Sequence, residues 1–96
     1  MKKMTYGNLE SVLLSLGFDK RPIEPNGVLY FVPNDKNIWI PMPVRSSNDP
    51  IRPHHYVAAR LTIDGLGPVD AAVFEREMKA HGELPDGVMP YFPSVK

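Results

Sequence analysis

The sequence predicts an α+β domain with a small three-stranded antiparallel sheet flanked by helices, in the order α-β-β-β-α-α. Three observations indicate this class: an amphipathic helical pattern near the start, strand-like apolar segments around a polar connector, and two further helical patterns behind them. A chain of 96 residues is long enough for one domain with a modest core. We expect this domain to span residues 1–82 and a proline-rich tail to span residues 83–96.

The first helix is predicted over residues 6–16. Its apolar positions follow the i, i+3, i+4, i+7 spacing of one buried face and are Leu9, Val12, Leu13 and Leu16. Thr5 is the expected N-cap, although Asn8 is not the Glu or Gln of a full capping box. Gly17 is placed to end the helix in the left-handed conformation, and Phe18 is the apolar residue that commonly follows such a glycine.

A hairpin over residues 28–43, VLYFVPNDKNIWIPMP, is the centre of the predicted sheet. Two apolar runs, at 28–32 and 38–42, flank the polar connector at 34–37, a pattern typical of paired strands. The runs are more apolar than a strand with one wet face requires, so both faces should be at least partly covered, by helices or by a partner. Two aromatic residues in these strands either belong to the core or stack on nucleobases, namely Tyr30 and Trp39.

Both outer strands of the sheet are predicted to contain proline. Residues 19–26 indicate a short edge strand, because proline is tolerated where its missing N–H would face outward. Asn26 and Gly27 favour a turn from this strand into the hairpin. Pro41 and Pro43 place the last strand at the opposite edge.

The second helix should begin at Asp49-Pro50 or just after it, with Pro53 in the first turn, where N–H groups are unpaired anyway. Gly65 should end it, followed by the apolar Leu66 as in the first helix. The predicted buried side comprises Val57, Ala58 and Leu61, with Tyr56 and Ile63 as further candidates.

The third helix is predicted over residues 71–81, between an Asp70 N-cap and Gly82. Its predicted face comprises Val73, Phe74, Glu77 and Met78. The tail after it has the composition of an extended, polyproline-like segment. Its apolar residues either lie back over the sheet or contact another chain, and they are Val88, Met89, Tyr91 and Phe92.

The composition of the chain argues against several classes of function. The chain has no cysteine, which removes disulfide and thiolate chemistry and fits a cytoplasmic protein. No apolar run approaches the roughly 20 residues of a membrane-spanning helix, and no apolar segment follows the first lysines as in a signal peptide. We expect no membrane association. No phosphate-binding glycine loop, Ser-His-Asp order or glycosidase-like carboxylate pair is visible, so no cofactor is expected.

Charge is balanced overall but unevenly distributed. Formal net charge is zero, with 8 basic and 5 acidic residues in residues 1–60 and 3 basic and 6 acidic residues in residues 61–96. Clustered Lys and Arg carry affinity for phosphates, so the basic front could form a nucleic-acid face. The alternative is an ordinary mixed surface.

The most reactive pair of side chains is His54-His55. Adjacent helical residues point about 100° apart, so the two do not readily ligate one metal ion, and with only His81 as a third histidine no metal site is expected. Arg45 and Arg52 stand nearby in sequence, and a helix N-terminus attracts anions.

The pair therefore has two interpretations. In one, the two histidines act as general acid or base in RNA cleavage. The phosphate-binding candidates are then Arg45, Arg52, Lys20 and Arg21. In the other, the histidines form a solvated first turn with one imidazole packed on the sheet.

Parts of the sequence resemble a known family. The segment TYGNLESVLLSLGF, the hairpin NGVLYFVPNDKNIWIPMP and the following helical segment resemble HicA-type (YcfA-like) toxins over roughly residues 5–80. The resemblance implies a fold like that of double-stranded-RNA-binding domains. It also implies a toxin–antitoxin role: an mRNA-cleaving ribonuclease neutralised by a HicB-like antitoxin.

One departure from that family concerns its catalytic residue. HicA-type toxins carry Gly-Ser-His at the start of the second strand, whereas this chain has Asn26-Gly27-Val28, or Gly27-Val28-Leu29 if aligned on the glycine. Valine and leucine cannot transfer a proton. Either catalysis has moved to His54 or His55, or the chain binds RNA without cleaving it.

A different class of function also fits the sequence. The hairpin or the proline-rich tail could serve a non-catalytic interaction module, by adding a partner's strand to a sheet edge or by self-association into a homo-oligomer.

Overall fold

The structure, a computed structural model, describes residues 2–33, 35–65 and 71–90. Six elements follow one another in the order that the sequence predicts, and the α+β class is confirmed. They are α1 (Tyr6–Ser15), β1 (Asp19–Ile23), β2 (Gly27–Val32), β3 (Asp35–Pro43), α2 (Pro53–Asp64) and α3 (Ala71–Lys79). No helix within the described ranges combines the length and apolar character needed to cross a bilayer.

Helix α1 begins and ends as predicted. Asn8 completes a capping box after all: its N–H donates to the Thr5 hydroxyl at 3.2 Å, and its side-chain oxygen accepts from the Thr5 N–H at 2.9 Å. An amide oxygen therefore replaces the usual carboxylate. At the other end, Gly17 has φ +97°, and the N–H of buried Phe18 donates to the Leu13 carbonyl. These bonds close α1 with a Schellman motif.

The sheet is antiparallel with the order β1-β2-β3, so both proline-containing strands lie at edges as predicted. The Val44 N–H donates inward to the Asn26 carbonyl, and directions alternate along a strand, so Pro41 and Pro43 occupy positions whose N–H would point away from β2. The outer edge of β3 therefore lacks two of its donors. This edge is a poor template for addition of a partner strand.

The two faces of the sheet differ in their surroundings. One face belongs to the main core and contributes Tyr30, Ile40 and Met42. On the opposite face Leu29 is buried, Phe31 is half-buried, and Trp39 is 56% exposed. Partial covering of both faces was expected. Tyr30 is a core residue, whereas Trp39 is not.

Helix α2 begins at Pro53, so this proline lies in the first turn as predicted, but the buried side of the helix differs from the prediction. The buried residues are Tyr56, Ala59 and Ile63. The further candidates Tyr56 and Ile63 are confirmed, but the main predicted stripe is wrong, since Leu61 is 63% exposed, Ala58 is exposed and Val57 is only half-buried. The largest residue decides the rotation of the helix: the Tyr56 ring stacks on Phe74 of α3 with centroids 5.6 Å apart.

The C-terminus of α2 differs from the prediction in its conformation. Gly65 is the C-cap with φ −82°, so the helix ends there without a left-handed glycine. Leu66 lies outside the described residues.

Helix α3 ends at Lys79, two residues before the predicted end. Phe74 and Met78 are buried as predicted, but Glu77 is exposed and the neighbouring Glu75 is buried. Glu75 is buried because Tyr56 and Arg60 of α2 both donate hydrogen bonds to it. The predicted Asp70 cap lies outside the described residues.

The described part of the tail, residues 83–90, lies against the chain's own surface. The Met4 N–H donates to the Glu83 carbonyl, and the Glu83 N–H donates to the Lys2 carbonyl. Leu84 and Val88 pack against the core, while Met89 is exposed. The predicted contacts of Tyr91 and Phe92 lie outside the described residues.

Candidate functional site

Residues 44–52 connect β3 to α2 and lie against the first turn of α1. The Tyr6 N–H donates to the Asp49 carbonyl and the Gly7 N–H donates to the Ser47 carbonyl, each at 3.0 Å. These loop carbonyls pair N–H groups that the first turn of a helix otherwise leaves free. A Cβ at Gly7 would lie 2.8 Å from the Ser47 oxygen, so the loop can approach this closely only because residue 7 is glycine.

A short backbone pairing then brings the start of α2 beside the start of α1. Thr5 forms an antiparallel bridge with Pro50, and the Ile51 N–H donates to the Met4 carbonyl at 3.0 Å. Arg52 and the first turn of α2 follow directly. Side chains from the loop and from both helix starts are therefore close in space.

Tyr6 links these segments through its hydroxyl group. The hydroxyl oxygen lies 2.6 Å from His55 Nδ1 and accepts from the Arg52 N–H at 3.3 Å. Tyr6 is 8% exposed, so its own hydrogen needs an acceptor within the protein. If the Tyr6 hydroxyl donates to Nδ1, then the Tyr6 hydrogen, His55 Nδ1 and the Arg52 N–H all have a partner. The proton of a neutral His55 is then on Nε2.

Four of the predicted site residues lie around Tyr6, and we call them the basic cluster: Arg45, Arg52, His54 and His55. The His54 and His55 rings have centroids 4.1 Å apart. Burial lowers the pKa of His55, and the positive charges of His54, Arg45 and Arg52 lower it further. His55 packs on Tyr6 of α1, not on the sheet as the alternative interpretation expected.

The start of α2 offers little backbone attraction for anions. Pro53 has no N–H, and the N–H groups of His55 and Tyr56 both donate to the Arg52 carbonyl at 3.1 Å. Few N–H groups at the start of α2 are therefore left to bind an anion, contrary to the predicted helix-terminus site. Attraction for an anion at the basic cluster comes from side-chain charge.

The other two residues predicted to bind phosphate, Lys20 and Arg21, are not in the basic cluster. The Lys20 ammonium pairs with the Glu10 carboxylate. Arg21 lies on the opposite face of the sheet, where its guanidinium carbon is 5.5 Å from the centre of the Phe31 ring. Successive residues of a strand point to opposite faces, so Lys20 and Arg21 cannot serve one site.

A cleft of about 180 Å³ opens beside the basic cluster, between α1 and the sheet. Its apolar wall is formed by Leu9, Val28 and Met42, and its polar lining by Tyr6, Glu10, Lys20, Tyr30, Arg45 and Ser47. Burial, together with the nearby Glu10 carboxylate, raises the pKa of Tyr30 to about 12, so its phenol keeps its proton. Tyr6 and Arg45 belong to both the cleft and the basic cluster.

No pattern in the sequence indicates this cleft directly. Tyr6 and Glu10 are spaced i, i+4 and so share one face of α1, which is a signal that could have identified them. Ser47 lies in a loop, and no periodic pattern relates a loop residue to a helix face.

A third surface is the outer sheet face around Trp39. Trp39 is directly opposite Phe31 in the register of β2 and β3, and Arg21 covers Phe31 from β1. The outer sheet face therefore presents an exposed tryptophan beside a half-buried phenylalanine.

Among the described residues, no group of three or more His, Asp or Glu side chains is placed to hold a metal ion. Comparisons of the chain with protein-family models, with curated proteins and with solved structures gave no match. The resemblance to HicA-type toxins therefore stays a prediction, and the function has to be argued from the site.

Proposed function

We propose that this chain is an RNA-binding protein, related to the HicA-type toxins, that contacts RNA phosphates through the basic cluster. The observation that carries the proposal is the convergence of Arg45, Arg52, His54 and His55 around Tyr6. The Tyr6 hydroxyl bonds both His55 and the Arg52 N–H, the His54 ring lies 4.1 Å from that of His55, and Arg45 lines the same cleft as Tyr6. Arg45 and Arg52 are exposed and can reach a polyanion.

Binding without cleavage fits the geometry better than ribonuclease activity does. With the proton of neutral His55 on Nε2, Nδ1 is the only nitrogen of this ring that could act as a general base, and it already accepts from the Tyr6 hydroxyl. The start of β2, where the resemblance implies a catalytic histidine, has Val28 and buried Leu29. We therefore assign the two histidines to phosphate contact.

The test is fluorescence anisotropy with labelled RNA, both single-stranded and hairpin, at about 50 mM salt, where phosphate contacts are strong. Replacing Arg45 and Arg52 together by glutamine should weaken binding to all sequences and reduce the salt slope by about 2, one for each lost contact. Arg76→Gln/Lys79→Gln removes the same charge from the last turn of α3 and is the matched control.

No binding of either RNA at low salt would exclude the proposal. If the Arg76→Gln/Lys79→Gln control lost as much RNA affinity, the effect of Arg45 and Arg52 would be a non-specific effect of charge. The same samples run on a denaturing gel should contain intact RNA; cleavage that disappears in His54→Ala or His55→Ala would instead favour a ribonuclease.

A second candidate is a protein-binding module that uses the outer sheet face. Trp39 favours it, because an exposed tryptophan is the side chain most enriched at the centre of protein interfaces. A HicB-like antitoxin is the partner that the resemblance implies. Co-expression with such a protein, followed by a pull-down with the wild type and with Trp39→Ser, tests this candidate.

A further inference from the structure

The cleft beside the basic cluster has the size of a single aromatic ring. Its volume is about 180 Å³. An apolar protein cavity of about 150 Å³ is known to hold one benzene molecule, while pockets for drug-sized ligands begin at about 300 Å³. The cleft therefore accommodates one six-membered ring with small substituents.

The charges in the cleft indicate that this ring is neutral. The Glu10 carboxylate and the Lys20 ammonium pair across its rim. A phosphate or carboxylate placed beside Glu10 would be repelled, so an anion is favoured only towards Arg45 and not at the Glu10–Lys20 end of the cleft. A carboxylate acceptor next to an ammonium donor instead suits a ring that carries an N–H and a carbonyl oxygen on one edge.

The position of the cleft indicates what the ring is attached to. Arg45 lines the cleft and also belongs to the basic cluster, and Tyr6 separates the two with its ring on one side and its hydroxyl at His55. A ligand whose ring enters the cleft thus presents its next groups to Arg45 and His55. Nucleotides have this arrangement of a neutral ring and an adjacent phosphate.

We infer that the cleft binds one pyrimidine base of an unpaired RNA strand, an inference that rests on the proposed RNA binding. The base lies against the wall formed by Leu9, Val28 and Met42, and its polar edge meets Glu10 and Lys20. Glu10 accepts from the base N–H, as a carboxylate accepts from cytosine in nucleic-acid recognition. A two-ring purine is larger than the single ring that a cavity of about this volume is known to hold.

The experiment compares anisotropy of labelled oligouridylate and oligoadenylate of equal length, with wild type, Glu10→Gln and Glu77→Gln. Glu77 is an exposed residue of α3, so its variant makes the same change of charge away from the cleft. The wild type should bind oligouridylate at least about fivefold tighter, the lower end of what one base-edge contact provides. Glu10→Gln should abolish this preference by weakening oligouridylate binding alone.

The sign of the Glu10→Gln effect separates the alternatives. Removing a negative charge strengthens binding that depends on phosphate contacts only, so tighter binding of both oligomers by Glu10→Gln would overturn the cleft assignment. A pyrimidine preference that survives Glu10→Gln would also overturn it. Both results leave RNA binding intact, whereas failure of wild type to bind either oligomer removes the proposed function itself.

Folding of the variant is not at risk. The Glu10–Lys20 pair is partly exposed, and such pairs contribute little to stability. Amide chemical shifts give a second measurement: uridine monophosphate should shift the Gly7 and Val28 signals of the wild type and leave those of α3 unchanged. Shifts spread over α3, or none at Gly7 and Val28, would contradict the cleft assignment.

Discussion

The Tyr6 hydroxyl and Nδ1 of His55 lie 2.6 Å apart although 49 positions separate the two residues in the chain. This hydrogen bond joins the first turns of α1 and α2. The same hydroxyl accepts the Arg52 N–H, so one side chain fixes both the backbone at the start of α2 and the orientation of an imidazole in the basic cluster. Tyr6 is thus a positioning residue for the proposed phosphate site.

Tyr6→Phe should destabilise the fold and disturb the basic cluster together. The phenyl ring keeps the packing, but the Arg52 N–H and His55 Nδ1 lose their partner, which costs about 1–2 kcal/mol. A double-mutant cycle with His55→Gln, measured by urea unfolding, should give a coupling free energy of about 0.5–1.5 kcal/mol. Strict additivity of the two substitutions would show that the hydrogen bond contributes nothing.

Stability should depend on pH through His55. Burial, with help from His54, Arg45 and Arg52, lowers the pKa of His55 in the folded chain below the ordinary value of 6.5. Below pH 6.5 the unfolded chain then binds more protons at this residue than the folded chain, so the free energy of unfolding falls as pH falls from 6.5 towards the lowered pKa.

The measurement is urea unfolding of wild type and His55→Gln at several values between pH 8 and pH 5. The wild type should lose stability below pH 6.5 more steeply than His55→Gln does. Parallel curves for the two proteins would contradict a lowered pKa. Above about pH 7.5, one unit over the ordinary value, the residue is almost entirely neutral in both states and adds almost no slope.

The parts of the fold that the sequence could predict are those determined by local pattern. Helix α1, with its cap at Thr5 and its left-handed Gly17, follows from spacing and capping chemistry alone. The edge positions of the proline-containing strands follow from the missing N–H of proline. Each of these features is determined by residues that are close together in the chain.

The parts that were missed depend on contacts between distant segments. The face that α2 buries is set by stacking of Tyr56 on Phe74 and by the bonds of Arg60 to Glu75, and neither partner is near in the chain. The predicted face of α3 included Glu77 and not Glu75, whose burial depends on its bonds to Tyr56 and Arg60 of another helix. Arg21 was assigned to the phosphate site by charge type, although strand alternation places it on the other face from Lys20.

Glu75→Ala should be one of the more damaging substitutions on α3. Glu75 is 4% exposed and accepts from the Tyr56 hydroxyl at 3.2 Å and from Arg60 Nη1 at 3.4 Å. Losing it leaves a buried hydroxyl and a largely buried guanidinium with fewer partners, at a cost of about 3 kcal/mol. Glu77→Ala, an exposed neighbour, should change the free energy of unfolding by less than about 0.5 kcal/mol. Equal effects of the two would show that the buried interaction is not stabilising.

Gly7→Ala should destabilise the chain and loosen the loop that carries Arg45. The new Cβ would lie 2.8 Å from the Ser47 oxygen and 2.9 Å from its Cβ, so the loop must move. The expected cost is about 1–3 kcal/mol, as for other overpacked sites, with weaker RNA binding in the anisotropy assay.

Gly65→Ala is the matched control for this substitution. Its Cβ meets nothing closer than the Thr62 oxygen at 3.5 Å, and φ is −82°. It should be neutral or stabilising by about 0.5 kcal/mol, because alanine reduces the freedom of the unfolded chain. If Gly7→Ala were also neutral, close approach of the loop would not be what positions Arg45.

Trp39→Ser should leave the fold almost unchanged. Trp39 is 56% exposed, and its contact with Phe31 across the strands is worth about 0.2–1 kcal/mol. Ile40→Ala, the next residue on β3 and 1% exposed in the core, should cost about 2–5 kcal/mol, as measured by circular dichroism during urea unfolding. A small cost for Trp39→Ser would leave Trp39 available for the proposed contact with a protein partner. If Trp39→Ser cost as much stability as Ile40→Ala, Trp39 would be part of the fold and the protein-binding candidate would lose its support.

A second measurement tests whether a partner covers Trp39. Because Trp39 is the chain's single tryptophan, acrylamide quenching of its fluorescence reports directly on its exposure.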